Sequence, residues 1–388
     1  MSSHPTTLSR PSVTHAAAST GFRPDIQALR ALAVSLVVLT HVWPNLLSGG
    51  FVGVDVFFVI SGYLITSRLA REIRTTGRIR IAHFYARRVR RLLPAASLVL
   101  LCVVVAVRVL APRASWADNA RQIVASALYA QNWLLGAHPI DVTKVTAVAS
   151  YWSLSVEEQF YLLWPLLLLP LFALRATWAR LSVVAGLGIV SLLYCVHLTA
   201  VAPVPAYFIT PVRVWEFVLG AVLVLADAKL TLPTAAANTA SLLGFAAILG
   251  SAFLFTGKTP FPGSAALVPA VGAALVITAG LRSERQWHTV LTSSRPVQVL
   301  GDMSYSLYLW HWPLLMLVPL AVPGGAQTFT ARLGIVAAAL LLSYASKRLI
   351  EDPVRTWPTL AQSPRLTFAA MVVVLSAVCL AAEVVLWP

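Results

Sequence analysis

The sequence predicts an all-α polytopic membrane protein, a bundle of about 10–11 transmembrane helices. Its N-terminus is expected to be cytoplasmic and its C-terminus extracytoplasmic. Three observations predict this. Of 388 residues, 58% are hydrophobic and 11% charged, and the mean hydropathy is +0.79, far from the balance of a soluble domain. Apolar runs long enough to cross a hydrocarbon core recur along the whole chain. Lysine and arginine collect on one side of those runs, as the positive-inside rule requires.

In chain order, residues 1–21 are rich in Ser, Thr, Pro and Ala without periodicity, and read as a disordered cytoplasmic tail. They lack the apolar core of a cleaved signal peptide. Helices are expected at 26–47, 52–69, 92–110, 152–173, 181–200, 212–227, 237–256, 265–281, 297–320, 331–349 and 366–386. Residues 114–135 read instead as an amphipathic helix lying in the membrane interface. The main transmembrane domain is expected to cover 22–356, and 357–388 to add one further helix and the C-terminus. No internal repeat is visible, so the sequence gives no support to an inverted-repeat transporter.

Charge placement sets the orientation. Residues through Arg30 hold three cations and Arg68–Arg91 holds nine. With the later inner loops, 22 of the 29 Lys and Arg residues fall inside and 7 outside. The net charge of +15 is therefore mostly topological, and nucleic-acid binding is not expected. Cys102, Cys195 and Cys379 all lie in apolar runs, and no spacing suggests a metal site or a disulfide framework.

Four stretches carry chemistry. The first runs from Arg30 to His41, eleven residues that make about three helical turns. Both side chains then share one face, about 16 Å apart along the axis and roughly half a hydrocarbon core. A cation near one surface and a titratable base near mid-depth suit a reaction across a membrane. The plain alternative is an interfacial anchor at Arg30 and an interfacial His41 beside Trp43.

The second is the cluster Arg78-Ile-Arg-Ile-Ala-His83-Phe-Tyr85-Ala-Arg87-Arg88-Val-Arg90-Arg91-Leu-Leu-Pro94. It can hold anionic lipid head groups, or the phosphates of a ligand arriving from the cytoplasm. Both remain open on sequence. The third gathers polar groups expected near the outer half of the bundle: Asp55, the pair Glu157 and Glu158, and Arg213 with Glu216. A carboxylate among them, Glu157 or Glu158 with Asp55, is expected to orient the His41 imidazole. Ser153 and Glu157 are four apart and share a face. The fourth is Gly301-Asp302-Met303-Ser304-Tyr305-Ser306-Leu307-Tyr308-Leu309-Trp310-His311-Trp312-Pro313, with Ser304, Tyr308 and His311 on one face. His311 lies well inside a span and must find a partner.

In ordered sequence these stretches resemble the acyltransferase-3 family of membrane O-acyltransferases. The resemblance rests on Phe22-Arg23-Pro24-Asp25 through Arg30, ten residues to His41, and Gly50-Phe51-Val52-Gly53-Val54-Asp55-Val56-Phe57-Phe58 to Leu64. It continues through Phe84-Tyr85-Ala-Arg87-Arg88-Val-Arg90-Arg91, Trp152-Ser153-Leu154 with Glu157 and Glu158, Ser304-Tyr305 to Pro313, and Glu351-Asp352-Pro353-Val354-Arg355. It covers about residues 22–356, each motif moderately specific and the ordered set strongly so.

The resemblance implies a multi-pass enzyme of the plasma (inner) membrane. It would move an acyl group, commonly acetyl, from cytoplasmic acyl-CoA to a hydroxyl of an extracytoplasmic acceptor such as an envelope glycan sugar. It implies that Arg30 and His41 fill the family's Arg/Lys-x10-His motif and Arg88 and Arg91 its Arg-x-x-Arg motif. Catalysis is then expected at His41 with Glu157, Glu158 and Asp55. Donor binding is expected at Arg30, Arg87, Arg88 and Arg91, and acceptor contacts at Trp152, Ser153, Arg213, Glu216, Ser304, Tyr305, Tyr308 and His311. No metal is required, and a continuous channel should join the arginine-rich mouth to the His41 ring. Larger members carry an extracytoplasmic SGNH-type domain, so such a domain or partner is a further expectation. The rival class is a transporter or flippase whose polar groups line a permeation path.

Overall fold

The computed structural model describes residues 23–137, 146–174, 176–226, 232–282, 286–322 and 328–386. The tail expected to be disordered lies outside them. Among the described residues every regular element is helical. Helix α1, Pro24–Val42, starts with Pro24 in its first turn, where the missing N–H costs nothing. It stops just before Pro44, which cannot continue it, so it is shorter than expected. Helix α2, Gly53–Thr76, closes on Gly77 in the left-handed region. Helix α3, Ile81–Leu110, includes Pro94 and carries the arginine cluster on its first turns. Most of that cluster is therefore part of one long helix.

The stretch expected as one interfacial helix is two: α4, Trp116–Ala127, and α5, Gln131–Ala137. Tyr129 between them has φ 53°, which breaks the helix. α4 buries Trp116, Asn119, Ala120 and Ile123. Then follow α6, Tyr151–Ala173; α7, Thr177–Val201; α8, Pro203–Phe208; α9, Val214–Leu225; α10, Thr234–Leu254; and α11, Leu267–Arg282. After the short α12, Thr289–Thr292, come α13, Arg295–Asp302, and α14, Ser304–Ala321. The last elements are α15, Phe329–Ser346; α16, Asp352–Thr356; α17, Pro358–Gln362; and α18, Pro364–Val384.

Eight of the described helical segments are long and apolar enough to cross a membrane, against eleven expected. The differences have local causes. α9 has 12 residues and α11 has 16, short of the ~20 a full crossing needs. The expected span 297–320 is broken at Met303 into α13 and α14. α14 carries His311, Pro313 and Pro319 and is not among the eight.

α1 and α2 sit at the centre. Gly53 of α2 lies against the Ala33 carbonyl of α1, where any Cβ would collide. Gly62 of α2 meets the Phe217 carbonyl, and Gly220 of α9 meets the Val59 carbonyl. These small residues let α2 touch both neighbours backbone to backbone, as packing inside a bilayer favours. α18 is held on α3 by Arg90, whose Nη1 donates to the Leu360 carbonyl (2.9 Å) and to Thr367 Oγ1 (3.3 Å). Below α15 a single π-helical turn, Lys347–Glu351, turns Lys347 Nζ toward Asp302 (3.0 Å) and Asp352 (2.9 Å). That cross-link fixes where α14 begins. Outward-facing Leu162, Leu163, Leu166, Val190 and Leu193 are exposed, as lipid contact requires.

Candidate active site

The last turn of α1 and the middle of α14 bring His41 and His311 together. His41 Nδ1 and His311 Nε2 are 3.1 Å apart, and the rings stack at 5.3 Å with an interplanar angle of 7°. The edge of Trp312 meets His41 at 4.8 Å, and Trp312 is pinned by its Nε1–H donating to the Thr146 carbonyl at 2.7 Å.

The hydrogen bonds assign the tautomers of two neutral rings. His311 Nδ1 lies 3.2 Å from the Leu307 carbonyl, which can only accept, so this nitrogen carries the proton. His311 Nε2 is then a lone pair and accepts from His41 Nδ1–H. His41 Nε2 is left as a bare lone pair with no hydrogen bond among the described residues. That is the state a general base needs. His311 is 1% exposed and His41 half-buried, so the inner ring is fixed and the outer one reachable.

The carboxylates are elsewhere. Glu157 Oε1 accepts from Ser61 (2.6 Å) and Tyr161 (2.7 Å), and Glu158 Oε1 takes Arg88 at 2.5 Å. Asp55 and Glu216 each accept from Arg213 at 2.9 Å. None hydrogen-bonds His41, so the expectation that a carboxylate orients this imidazole is corrected: a second imidazole does so. Consecutive residues on a helix diverge by about 100°, and the two glutamates accordingly face different partners, one turn beyond Ser153.

Arg213, Asp55 and Glu216 are 1%, 0% and 0% exposed, with Trp152, Tyr207 and Phe261 around the guanidinium at 5.4–5.6 Å. This cluster ties α9 to α2 and presents nothing to a substrate. Arg213 and Glu216 are thus brought together as expected, but as a closed ion cluster. Trp152 packs against it and against Phe58.

A cavity of about 750 Å³ lies between α1, α2, α3, α6 and α14. Its wall includes Arg23, Arg30, Arg68, Arg71, Arg74, Arg88 and Arg91, with Glu157 as its acid. Ser304 holds Arg30 Nη2 at 2.9 Å, and Tyr305 donates to the Leu92 carbonyl at 2.9 Å. Both line the cavity. Arg87 does not; it turns to Glu72 at 3.4 Å. Ser153 and Glu157 do share the cavity-facing side of α6.

The wall of the cavity also includes Ser153 and Tyr308. Tyr308 donates to the Ser150 carbonyl (3.0 Å), so Ser153 Oγ donates to the Tyr308 oxygen (2.6 Å). The Tyr308 ring stands 5.3 Å from His311, while neither histidine belongs to the wall. The expected channel therefore ends one side chain short of the histidines. Sequence reasoning missed Arg68 and Arg71, which it counted only as topology markers, and Ser61 and Tyr161, to which it gave no role although Ser61 lies within the 50–64 motif. Among the described residues no group of three or more His, Cys, Asp or Glu could hold a metal ion.

Residues 23–348 match the family of acyltransferase domains. The chain belongs to that family. The match takes in both histidines, the arginine-lined cavity and the Tyr308–Ser153 contact. O-acetyltransferase OatA of Staphylococcus aureus is 31% identical over 348 residues, covering 86% of this chain and 57% of the relative. Peptidoglycan O-acetyltransferase OatA of Listeria monocytogenes is 30% identical over 354 residues, covering 86% and 56%. The putative peptidoglycan O-acetyltransferase YrhL of Bacillus subtilis is 31% identical over 348 residues, covering 86% and 55%. This acyltransferase domain thus spans little more than half the length of these curated relatives. No solved structure matches the chain.

Proposed function

We propose that this protein takes an acetyl group from acetyl-CoA on the cytoplasmic side of the inner membrane. It passes that group to a hydroxyl of an extracytoplasmic envelope glycan, a peptidoglycan sugar being the acceptor that the relatives' names favour. The observation that carries this is the His41–His311 pair, with a bare Nε2 on His41, set one side chain beyond an arginine-lined cavity. Part of the arginine wall holds the phosphates of the donor and the slender pantetheine arm runs along the cavity, delivering its thioester to the Tyr308–Ser153 contact. The N-terminus is cytoplasmic in this reading, which is supported by the arginines near the α2–α3 junction that line the cavity and by the preference of such residues for the cytoplasmic face.

The chemistry balances within the site. His41 Nε2 takes the proton from the acceptor hydroxyl as its oxygen attacks the thioester carbonyl. The carbon–sulfur bond breaks, the ester forms, and the departing thiolate takes the proton back from His41. His311 holds the ring and its tautomer throughout, and shares the imidazolium charge through the 3.1 Å contact. Tyr308 and Ser153 must part for the carbonyl to reach His41. Residues 22–356 form the acyltransferase unit in this reading, 357–388 add a helix docked on α3, and an SGNH-type domain or partner selects the acceptor.

The test supplies labelled acetyl-CoA to the arginine-rich face of sealed vesicles and follows label into hydroxyl esters on the opposite face. His41→Ala should insert and fold normally and lose about 10²- to 10⁴-fold of transfer, the usual contribution of a general base. A His41→Ala chain that transfers as well as wild type refutes the proposal. Unmodified solute crossing without ester formation points to a transporter instead.

A further inference from the structure

The seven arginines in the cavity wall do not carry equal free charge. Arg88 is held by Glu158 at 2.5 Å, and its guanidinium lies 3.3 Å from the centre of the Tyr161 ring. Tyr161 in turn donates to Glu157, which also takes Ser61 of α2. Arg88 thereby fastens α3 to α6 and, through Tyr161 and Glu157, to α2. Its fork is occupied from the side and from the face.

Arg68, Arg71 and Arg91 differ. Their guanidinium groups make no hydrogen bond or ion pair among the described residues, yet all three line the cavity. Arg68 and Arg71 are three apart on α2 and share a face. Arg68 feels the like charges of Arg87, Arg91 and Arg71, offset in part by Glu72. The neighbouring acid, Glu72, is already engaged by Arg87 and by the Arg80 amide. Like charges gathered at a cavity wall and only partly compensated repel one another until an anion arrives. Guanidinium forks suit the oxygens of a phosphate.

We propose that Arg68 and Arg71 of α2, with Arg91 of α3, form the phosphate-binding site of the cavity, and that Arg88 is a structural cation neutralised by Glu158. This rests on the acyl-CoA donor proposed above and divides the arginine cluster by role. The same chemistry would accept a lipid phosphate, so the test separates the two sources.

Full-length protein in phosphatidylcholine nanodiscs is titrated with adenosine 3′,5′-bisphosphate, the charged end of a CoA-type donor, and separately with inorganic pyrophosphate, at low and moderate salt. Arg68→Gln/Arg71→Gln is expected to weaken binding of both anions about tenfold or more and to flatten the salt dependence. Arg88→Gln alone leaves Glu158 unpaired and is expected to lower thermal stability. The double variant Arg88→Gln/Glu158→Gln is expected to restore stability and to bind within about threefold of wild type. Equal loss of binding in Arg88→Gln/Glu158→Gln and Arg68→Gln/Arg71→Gln overturns the assignment. So does full binding by Arg68→Gln/Arg71→Gln. Pyrophosphate binding without nucleotide binding, lost in Arg68→Gln/Arg71→Gln, upholds the assignment and overturns the CoA donor. If phosphatidylglycerol in the nanodisc occupies the site and neither anion displaces it, the cluster is a lipid anchor and the proposal falls.

Discussion

Replacing His311 tests whether one imidazole positions the other. In the structure His311 accepts from His41 Nδ1 at 3.1 Å and stacks on it at 5.3 Å. A neutral hydrogen bond contributes about 0.5–1.5 kcal/mol, and a stacked aromatic pair a similar amount. If both act fully only when His41 becomes charged, their loss raises the barrier by about 1–3 kcal/mol, or about 5- to 150-fold in kcat. The donor KM should hardly move, because His311 is not in the cavity wall. Two amides distinguish positioning from packing. His311→Gln places its amide near the former Nε2, where its oxygen can accept from His41. His311→Asn places its amide near the former Nδ1, where it can satisfy the Leu307 carbonyl but cannot reach His41. Steady-state transfer should therefore rank wild type above Gln and Gln above Asn, with thermal stability similar in the two variants. Equal kcat in the Gln and Asn variants, or a change confined to KM, refutes the relay.

Two other perturbations probe the parts around it. Tyr308→Ala opens the end of the cavity, so donor hydrolysis without acceptor should rise severalfold. In a chain with its native cysteines replaced by serine, His41→Cys should then become labelled by a membrane-impermeant thiol reagent from the arginine-rich face; no labelling means that Tyr308 is not the barrier. Arg213→Met strands Asp55 and Glu216 in a fully buried cluster and should cost about 3–5 kcal/mol of stability. The fraction that stays folded should keep its kcat, and a selective loss of kcat at unchanged melting temperature would return Arg213 to the reaction.

Much of the site could be read along single helices, and little of it across them. The eleven-residue step from Arg30 to His41 does lie on one helix, and Ser304, Tyr308 and His311 do share a face of α14. Their partners are far away in sequence: Arg30 meets Ser304 and His41 meets His311, 274 and 270 residues apart. Periodicity tells which face a residue occupies and not which helix will cover it. Glu157 and Glu158 looked like partners for the histidine because both are acidic and near a helix start, yet the arginines and tyrosines of the cavity claim them. Arg88 looked like a phosphate ligand because its motif is basic, and the motif cannot display the carboxylate that neutralises it. Helix boundaries were legible only in part for a related reason: hydropathy marks the apolar runs of α9 and α11, but it does not display where the helix within such a run begins and ends.

The hydroxyl clasp between Tyr308 and Ser153 bears on electrical insulation. An energised membrane stores energy as a voltage, worth about 2.3 kcal/mol per elementary charge per 100 mV. A water-filled bore from one face to the other would short that voltage through a protein this rich in cations. With the Ser153–Tyr308 hydrogen bond standing between the cavity and the histidines, a wet, charged basin on one side is compatible with a sealed barrier. In the proposed reaction only a group of a few atoms has to slip past that contact.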